Sequence, residues 1–175
     1  MIVVLMGVCG CGKTSVGEAL AQAMGWPFLD ADDFHPQANV AKMRAAIALT
    51  DDDRRPWLER LADEMAAING RGAHAVLACS ALRQAYRDRL ARAGDVRFVH
   101  LKGDRATIES RLVVRSGHYM PASLLDSQFA TLEEPADATV VDIRAPMGVG
   151  LVKSKGVPAT GTIRPVGISF SSRGV

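Results

Sequence analysis

Apolar residues along the chain fall into two kinds of pattern. Residues 2–6 (IVVLM), 75–79 (AVLAC) and 139–141 (TVV) form near-continuous apolar runs, and 96–101 (VRFVHL) is mostly apolar. Short runs of this kind suit strands covered on both faces, as in a parallel sheet held between helices. A shorter run at 27–30 (PFLD) is a fifth strand candidate. Between the runs the spacing changes. Val16, Leu20 and Met24 share one helical face, and so do Trp57, Leu61, Met65 and Ile68, with Pro56 expected in the first turn of the second helix. Ile108 and Leu112 repeat the spacing behind Asp104, an expected N-cap. Strand and helix alternate, which predicts an α/β fold of three layers.

Two segments depart from the alternation. Residues 116–135 (SGHYMPASLLDSQFATLEEP) are too many for a plain connection between a helix and the last strand. They are expected to hold a short helix after Pro121, and either a mobile lid or a packed surface excursion fits their length. From residue 144 the pattern is lost. Residues 147–175 contain six glycines, two prolines and no acidic residue, so this tail is expected to be loop-like or disordered. The expected organisation is one domain over 1–146, with the long insertion at about 116–135, followed by an atypical tail over 147–175.

Composition narrows the possibilities. At 175 residues with 48% apolar and 23% charged content, the chain has the balance of one globular domain. The formal net charge of +2 belongs to the tail: five of the 21 basic residues follow Asp142, leaving 16 against 19 acidic residues before it, a net of −3. Without a basic cluster on the folded body, neither a nucleic-acid nor a membrane partner is expected. No apolar run has the length of a membrane span. The opening MIVVLMG lacks the basic start of a signal peptide, so a cytoplasmic location is expected. Cys9, Cys11 and Cys79 are odd in number and lack framework spacing, which suits reduced thiols.

The chemistry begins directly after the first strand. Gly7-Val8-Cys9-Gly10-Cys11-Gly12-Lys13-Thr14 matches G-x-x-x-x-G-K-[ST], with a strand before it and a helix after it. Glycines let successive backbone N–H groups turn towards phosphate oxygens, and the following helix adds its positive end. Lys13 can reach the β- and γ-phosphates of ATP, and the Thr14 hydroxyl can bind Mg²⁺. Cys9 and Cys11 are expected to fill the loop rather than bind metal, and a helix N-terminus lowers a thiol's pKa, which would make them oxidisable.

Asp30, Asp32 and Asp33 follow the second strand, at the sheet edge where α/β folds bind ligands. One carboxylate there can help hold Mg²⁺ and another can accept the proton of an attacking hydroxyl. In 51–57 (DDDRRPW) the acids suit a helix start, and an arginine could grip a carboxylate through two hydrogen bonds. Arg83 and Arg87 follow the third strand; a solvated helical face would explain both equally. Arg111, Arg115 and His118 border the long insertion, where arginines can offset charge on a moving phosphoryl group.

Taken in order, these pieces resemble the gluconate kinases (gluconokinases), small P-loop kinases related to shikimate kinase. The resemblance runs from about Val4 to Ile143. It rests on MGVCGCGKT, FLDADDFHP, NVAKM, LTDDDRRPWL, CSALRQAYRD, LKGD, IESRL, RSGHYMP, SQFATLEEP and VVDI. P-loops are widespread, whereas DADDFHP, DDDRRPWL, CSALR and RSGHYMP together are much narrower. The resemblance implies a five-stranded parallel core with a lid, ATP with Mg²⁺, phosphorylation of D-gluconate at its terminal hydroxyl, and a homodimer. It implies that Gly7, Val8, Cys9, Gly10, Cys11, Gly12, Lys13 and Thr14 hold the triphosphate. Asp32 would be base and substrate ligand, and Asp30 would lie nearer the metal, with Thr14. His35, Arg54 and Arg83 would contact gluconate, with His118 a further candidate. Arg111 would lie by the adenine, and Arg115 would be the lid arginine. The resemblance lapses after Ala145-Pro146. A kinase for another small hydroxy acid, or a nucleotide-binding protein impaired by the altered tail, would be the alternative.

Overall fold

The first strand, β1 (Ile2–Met6), sends alternate residues to opposite faces, and each face acquires its own helices. Ile2, Val4 and Met6 pack with Ala75, Leu77, Leu61 and Met65 on one side. Leu5 packs with Ala21 and Val76 on the other, joined by Val3, Leu20 and Phe28. The computed structural model describes residues 1–45, 47–114 and 122–144. The expected tail, the last positions of the helix preceding the insertion and its first residues, including Arg115 and His118, lie outside the described residues, wholly or in their side chains.

The remaining strands are β2 (Phe28–Asp30), β3 (Ala75–Ala78), β4 (Val96–Lys102) and β5 (Thr139–Asp142). They form one five-stranded sheet in the order β2-β3-β1-β4-β5, and every pair is parallel. All five C-terminal ends therefore open onto one edge. β1 sits at its centre, with the chain passing to β2 and β3 on one side and to β4 and β5 on the other, the arrangement that opens a crevice for ligands.

The helices are α1 (Lys13–Met24), α2 (Gln37–Arg44), α3 (Asp51–Gly70), α4 (Gln84–Ala91), α5 (Arg105–Val114) and α6 (Ala122–Thr131). Asp104 accepts from Thr107 N at 2.8 Å, as its place before α5 predicts. The short helix expected after Pro121 is α6, and its Leu125 is buried. α2 and α4 have too little apolar periodicity to be read from sequence.

Pro56 is not in the first turn of its helix. It is the sixth residue of α3, because Thr50 and Asp53 form a capping box that starts the helix earlier. Thr50 Oγ1 accepts from Asp53 N at 3.2 Å, and Asp53 Oδ2 accepts from Thr50 N at 2.9 Å. Those bonds outweigh the one ladder hydrogen bond that proline removes.

The core divides beside β1. Trp57, Leu58, Leu61, Met65 and Leu90 lie in the cluster beneath β2 and β3. Val8, Cys11, Leu101, Ile108, Leu125 and Ile143 form another towards β4 and β5. Among the described residues no helix is long and apolar enough to cross a membrane.

Candidate active site

The loop after β1 is bent by glycines at positive φ, Gly10 at +82° and Gly12 at +98°. A Cβ on Gly10 would come within 2.9 Å of Leu112 and 3.0 Å of Ile108, so the loop lies tight against α5. Gly12 precedes α1, and no side chain caps that helix. Its first N–H groups are left for an anion, which fits a triphosphate. Lys13 folds back over the loop, donating to Gly7 O and Val8 O at 3.1 Å each. Thr14 is exposed on the first turn of α1, beside the same cradle.

Two contacts brace the loop from outside. Gly7 N donates to Ser80 O at 3.2 Å, tying it to the turn after β3. Cys9 N donates to Gln128 Oε1 of α6 at 2.7 Å. Cys11 is buried against Gly7, and burial pushes its thiol pKa up although Lys13 pulls the other way. The expectation of an oxidisable Cys11 at a helix N-terminus is thereby corrected: desolvation outweighs the helix end. Cys79, fully buried, is pushed up to about 12 for the same reason.

β2 ends at Asp30, which caps a 3-10 turn over Ala31–Phe34 by accepting from Asp32 N at 3.1 Å. The indole of Trp57 donates to Ala31 O at 2.8 Å and fixes this turn to α3. Asp32 projects from it with 85% of its side chain open. Desolvation by the cleft walls and then the neighbouring Asp30 raise its pKa, while Lys13 is near enough to oppose them.

His35 closes the turn, stacked on Trp57 with ring centroids 4.3 Å apart. Its Nδ1 lies 3.4 Å from the amide nitrogen of Asn39, which also donates to Asp53 O at 2.8 Å. An amide nitrogen is a donor, so Nδ1 accepts and Nε2 carries the proton. Burial, then the Arg54 guanidinium, depress the His35 pKa from 6.5 to about 4. Its 4.0 Å approach to Asp32 is therefore no ion pair at neutral pH. The imidazole presents a neutral N–H donor instead.

A folded pKa below the unfolded value means that the unfolded chain binds a proton first. His35 therefore contributes stability that is complete above pH 6.5 and is lost as pH falls towards 4. Urea melts of the wild type and of His35→Gln should diverge across that window. The variant should lack up to about 3 kcal/mol of the acid-dependent loss. Parallel curves would contradict the assignment.

Beyond His35 lies a group of arginines. Arg83 donates to Asp51 Oδ2 at 2.6 Å, and the Tyr86 hydroxyl donates to the other oxygen of the same carboxylate. Both Arg54 and Arg83 lie about the Tyr86 ring, 5.9 and 6.0 Å from its centroid. The Tyr86 bond, then the two arginines, hold the Asp51 carboxyl below its usual range, while burial and Asp51 push Tyr86 up to about 12. The Arg54 guanidinium, over the Tyr86 ring, has no hydrogen-bond or ion-pair partner among the described residues and can receive an anion. Arg87 is different. It is buried and donates to Ala81 O, Leu82 O and Glu133 O at 2.9, 3.1 and 2.9 Å. The solvated face that could explain it is wrong; Arg87 holds together a turn in which Ala81 adopts φ +43°. Arg111 donates to Ile143 O, joining α5 to the end of β5.

The structure thus gathers Lys13, Thr14, Asp30, Asp32, His35, Arg54 and Arg83 at the C-terminal edge of the sheet. Trp57, Asn39, Tyr86 and Gln128 support them; the sequence marks Trp57 only as part of a helical core face and gives none of the four a place at the site. The position of CSALRQAYRD after a strand was the available signal for Tyr86. Among the described residues no three His, Cys, Asp or Glu side chains form a metal site. A Mg²⁺ held by one hydroxyl, a carboxylate, phosphate oxygens and water needs no such cluster, so the residues present fit it.

The chain and its fold are similar to known proteins. A family model described as an AAA domain matches residues 2–135. A probable gluconokinase of Xenopus tropicalis is 46% identical over 152 residues, covering 78% of this chain and 80% of the relative. The thermoresistant gluconokinase of Escherichia coli (strain K12) is 44% identical over 152 residues, with 83% and 86% covered. Among solved structures, a gluconokinase from Sinorhizobium meliloti 1021 superposes with a TM-score of 0.75 at 43% identity, covering 82% of this chain and 83% of that one.

Proposed function

The chain belongs to the gluconokinase family of P-loop kinases, and on that premise we propose that it transfers the γ-phosphoryl group of ATP to the terminal hydroxyl of D-gluconate. The products are ADP and 6-phospho-D-gluconate. The observation that carries the acceptor assignment is Arg54. It is a guanidinium without a partner among the described residues, next to a neutral His35 and a tyrosine face, at the same sheet edge as Lys13. A linear polyhydroxy carboxylate has an anion for one end of this cleft and a hydroxyl for the other.

In the reaction, the acceptor oxygen forms a bond to the γ-phosphorus as the bond from that phosphorus to the bridging oxygen of ADP breaks. Asp32 takes the hydroxyl proton, and its raised pKa suits a proton acceptor. Lys13 offsets charge on the phosphates, helped by the open N–H groups at the start of α1. Thr14 and Asp30 would hold Mg²⁺, which supplies neutralisation of the phosphate oxygens. Arg54 and Arg83 orient the carboxylate and His35 donates to a substrate hydroxyl. Arg111, Arg115 and His118 retain the adenine, lid and substrate roles that the family resemblance gives them. A cytoplasmic, homodimeric enzyme completes the reading on the same support.

Release of ADP measured across gluconate, glucose, shikimate, glycerate and nucleoside monophosphates tests the proposal. Gluconate should exceed glucose by at least about 100-fold in kcat/KM, because an uncharged sugar leaves an arginine unpaired. Equal activity on the two would contradict the carboxylate site. A preference for glycerate or shikimate would instead favour another small hydroxy acid.

A further inference from the structure

Gln128 is a polar residue in an apolar seam. On α6, Leu125, Phe129 and the following Leu132 pack with Val8, Cys11, Ile108 and Leu112, which seats this helix against the phosphate loop. Gln128 lies one turn after Leu125 and reaches the loop itself, its Oε1 accepting from Cys9 N at 2.7 Å. A backbone N–H can only donate, so the atom facing it must be the carbonyl oxygen of the amide. This fixes which way the amide is turned. The Nε2 group is directed away from Cys9, and among the described residues it meets no acceptor.

The neighbourhood identifies what it could meet. The Lys13 ammonium lies on the carbonyls of Gly7 and Val8, the two residues before Cys9. That ammonium is the one expected to reach the β- and γ-phosphates. Cys9 therefore marks the terminal-phosphate end of the cradle, and the Gln128 amide stands there with an unspent donor.

We propose that Gln128 is a positioning residue and terminal-phosphate ligand: Oε1 holds the Cys9 end of the loop, while Nε2 donates to a γ-phosphate oxygen of the bound nucleoside triphosphate. ADP has no such oxygen, so the contact favours ATP over ADP and releases with the transferred group. The proposal rests on the kinase reading above, but not on the identity of the acceptor.

Two nearly isosteric variants separate the two ends of the amide. Gln128→Glu keeps an acceptor for Cys9 N and replaces the donor with a negative oxygen. Gln128→Met removes both and keeps the packing. Calorimetric titration of the full chain with Mg²⁺ and either ADP or a non-hydrolysable ATP analogue gives the readout, with thermal melts as a check on folding. The glutamate variant should bind the triphosphate analogue about 10- to 100-fold more weakly, the worth of one hydrogen bond to a charged oxygen, with ADP affinity within about twofold of wild type. kcat should fall by a similar factor with KM for gluconate unchanged. Equal weakening of ADP and triphosphate would reduce Gln128 to a loop brace and overturn the proposal, as would wild-type discrimination in both variants. A wild type that distinguishes the nucleotides through Gln128 but shows no gluconate-dependent turnover would overturn the acceptor assignment alone.

Discussion

Replacing Lys13 with alanine should lower gluconate-dependent ADP release by at least about 1,000-fold while the protein stays folded, the loss expected when a preorganised charge on the transferring group is removed. Folding should survive because Lys13 sits on the rim of the cradle rather than in the core. The only protein hydrogen bonds of its side chain among the described residues go to Gly7 O and Val8 O. Turnover should not survive, because no second cation within the loop can take its place. Lys13→Arg should fail as well: a planar fork is larger than an ammonium and cannot sit between the same two carbonyls. Steady-state kinetics alongside circular dichroism melts give the answer. A folded Lys13→Ala protein with wild-type turnover would remove the phosphate cradle from the mechanism.

Asp32→Asn should lower kcat by about 100- to 10,000-fold and leave ATP affinity nearly unchanged. The side chain is open to the cleft and its own carboxylate supports no fold-bearing hydrogen bond; it is the backbone N–H of Asp32 that engages Asp30. An amide of the same shape should therefore preserve the turn while losing the ability to accept a proton. The 3-10 turn stays anchored through Trp57 and Asp30 in either case. Single-turnover kinetics with direct measurement of ATP binding separates the two effects. If Asp33→Asn were the severe change and Asp32→Asn the mild one, the base would lie one residue further along.

What could be read from the sequence was what depends on neighbours along the chain. The run IVVLM, the loop behind it and the spacing of Val16, Leu20 and Met24 each carry their own signal, and the structure turns them into β1, a phosphate loop and α1. The acidic turn was legible because it follows a strand at the edge where ligands bind. What stayed hidden was the choice of tertiary partner. Arg83 and Arg87 are four residues apart and look alike in sequence, yet one pairs with Asp51 at the cleft and the other is buried beneath Ala81 and Leu82. The start of α3 was misplaced because Pro56 is a strong local signal, whereas the capping box between Thr50 and Asp53 moves the boundary five residues earlier. Gln128 carries no local signal of function; its meaning comes from Cys9, 119 residues away.

The division of the core beside β1 has a consequence for how such a kinase can change. The elements that would grip the acceptor, the turn after β2, the start of α3 and the start of α4, rest on the cluster around Trp57 and Leu61. Those that would grip the nucleotide, the phosphate loop, α5 and α6, rest largely on the cluster around Val8, Ile108 and Leu125. Leu132, just after α6, packs against both clusters. Acceptor preference can still drift by substitutions around Trp57 while the contacts that seat the phosphate loop on α5 and α6 stay unchanged. For protein engineering, the same partition makes the turn after β2 and the starts of α3 and α4 the place to diversify when a new phosphoryl acceptor is wanted, while α1, which packs on β2 and β3 through Ala21, Val76 and Phe28, is to be left alone with α5 and α6.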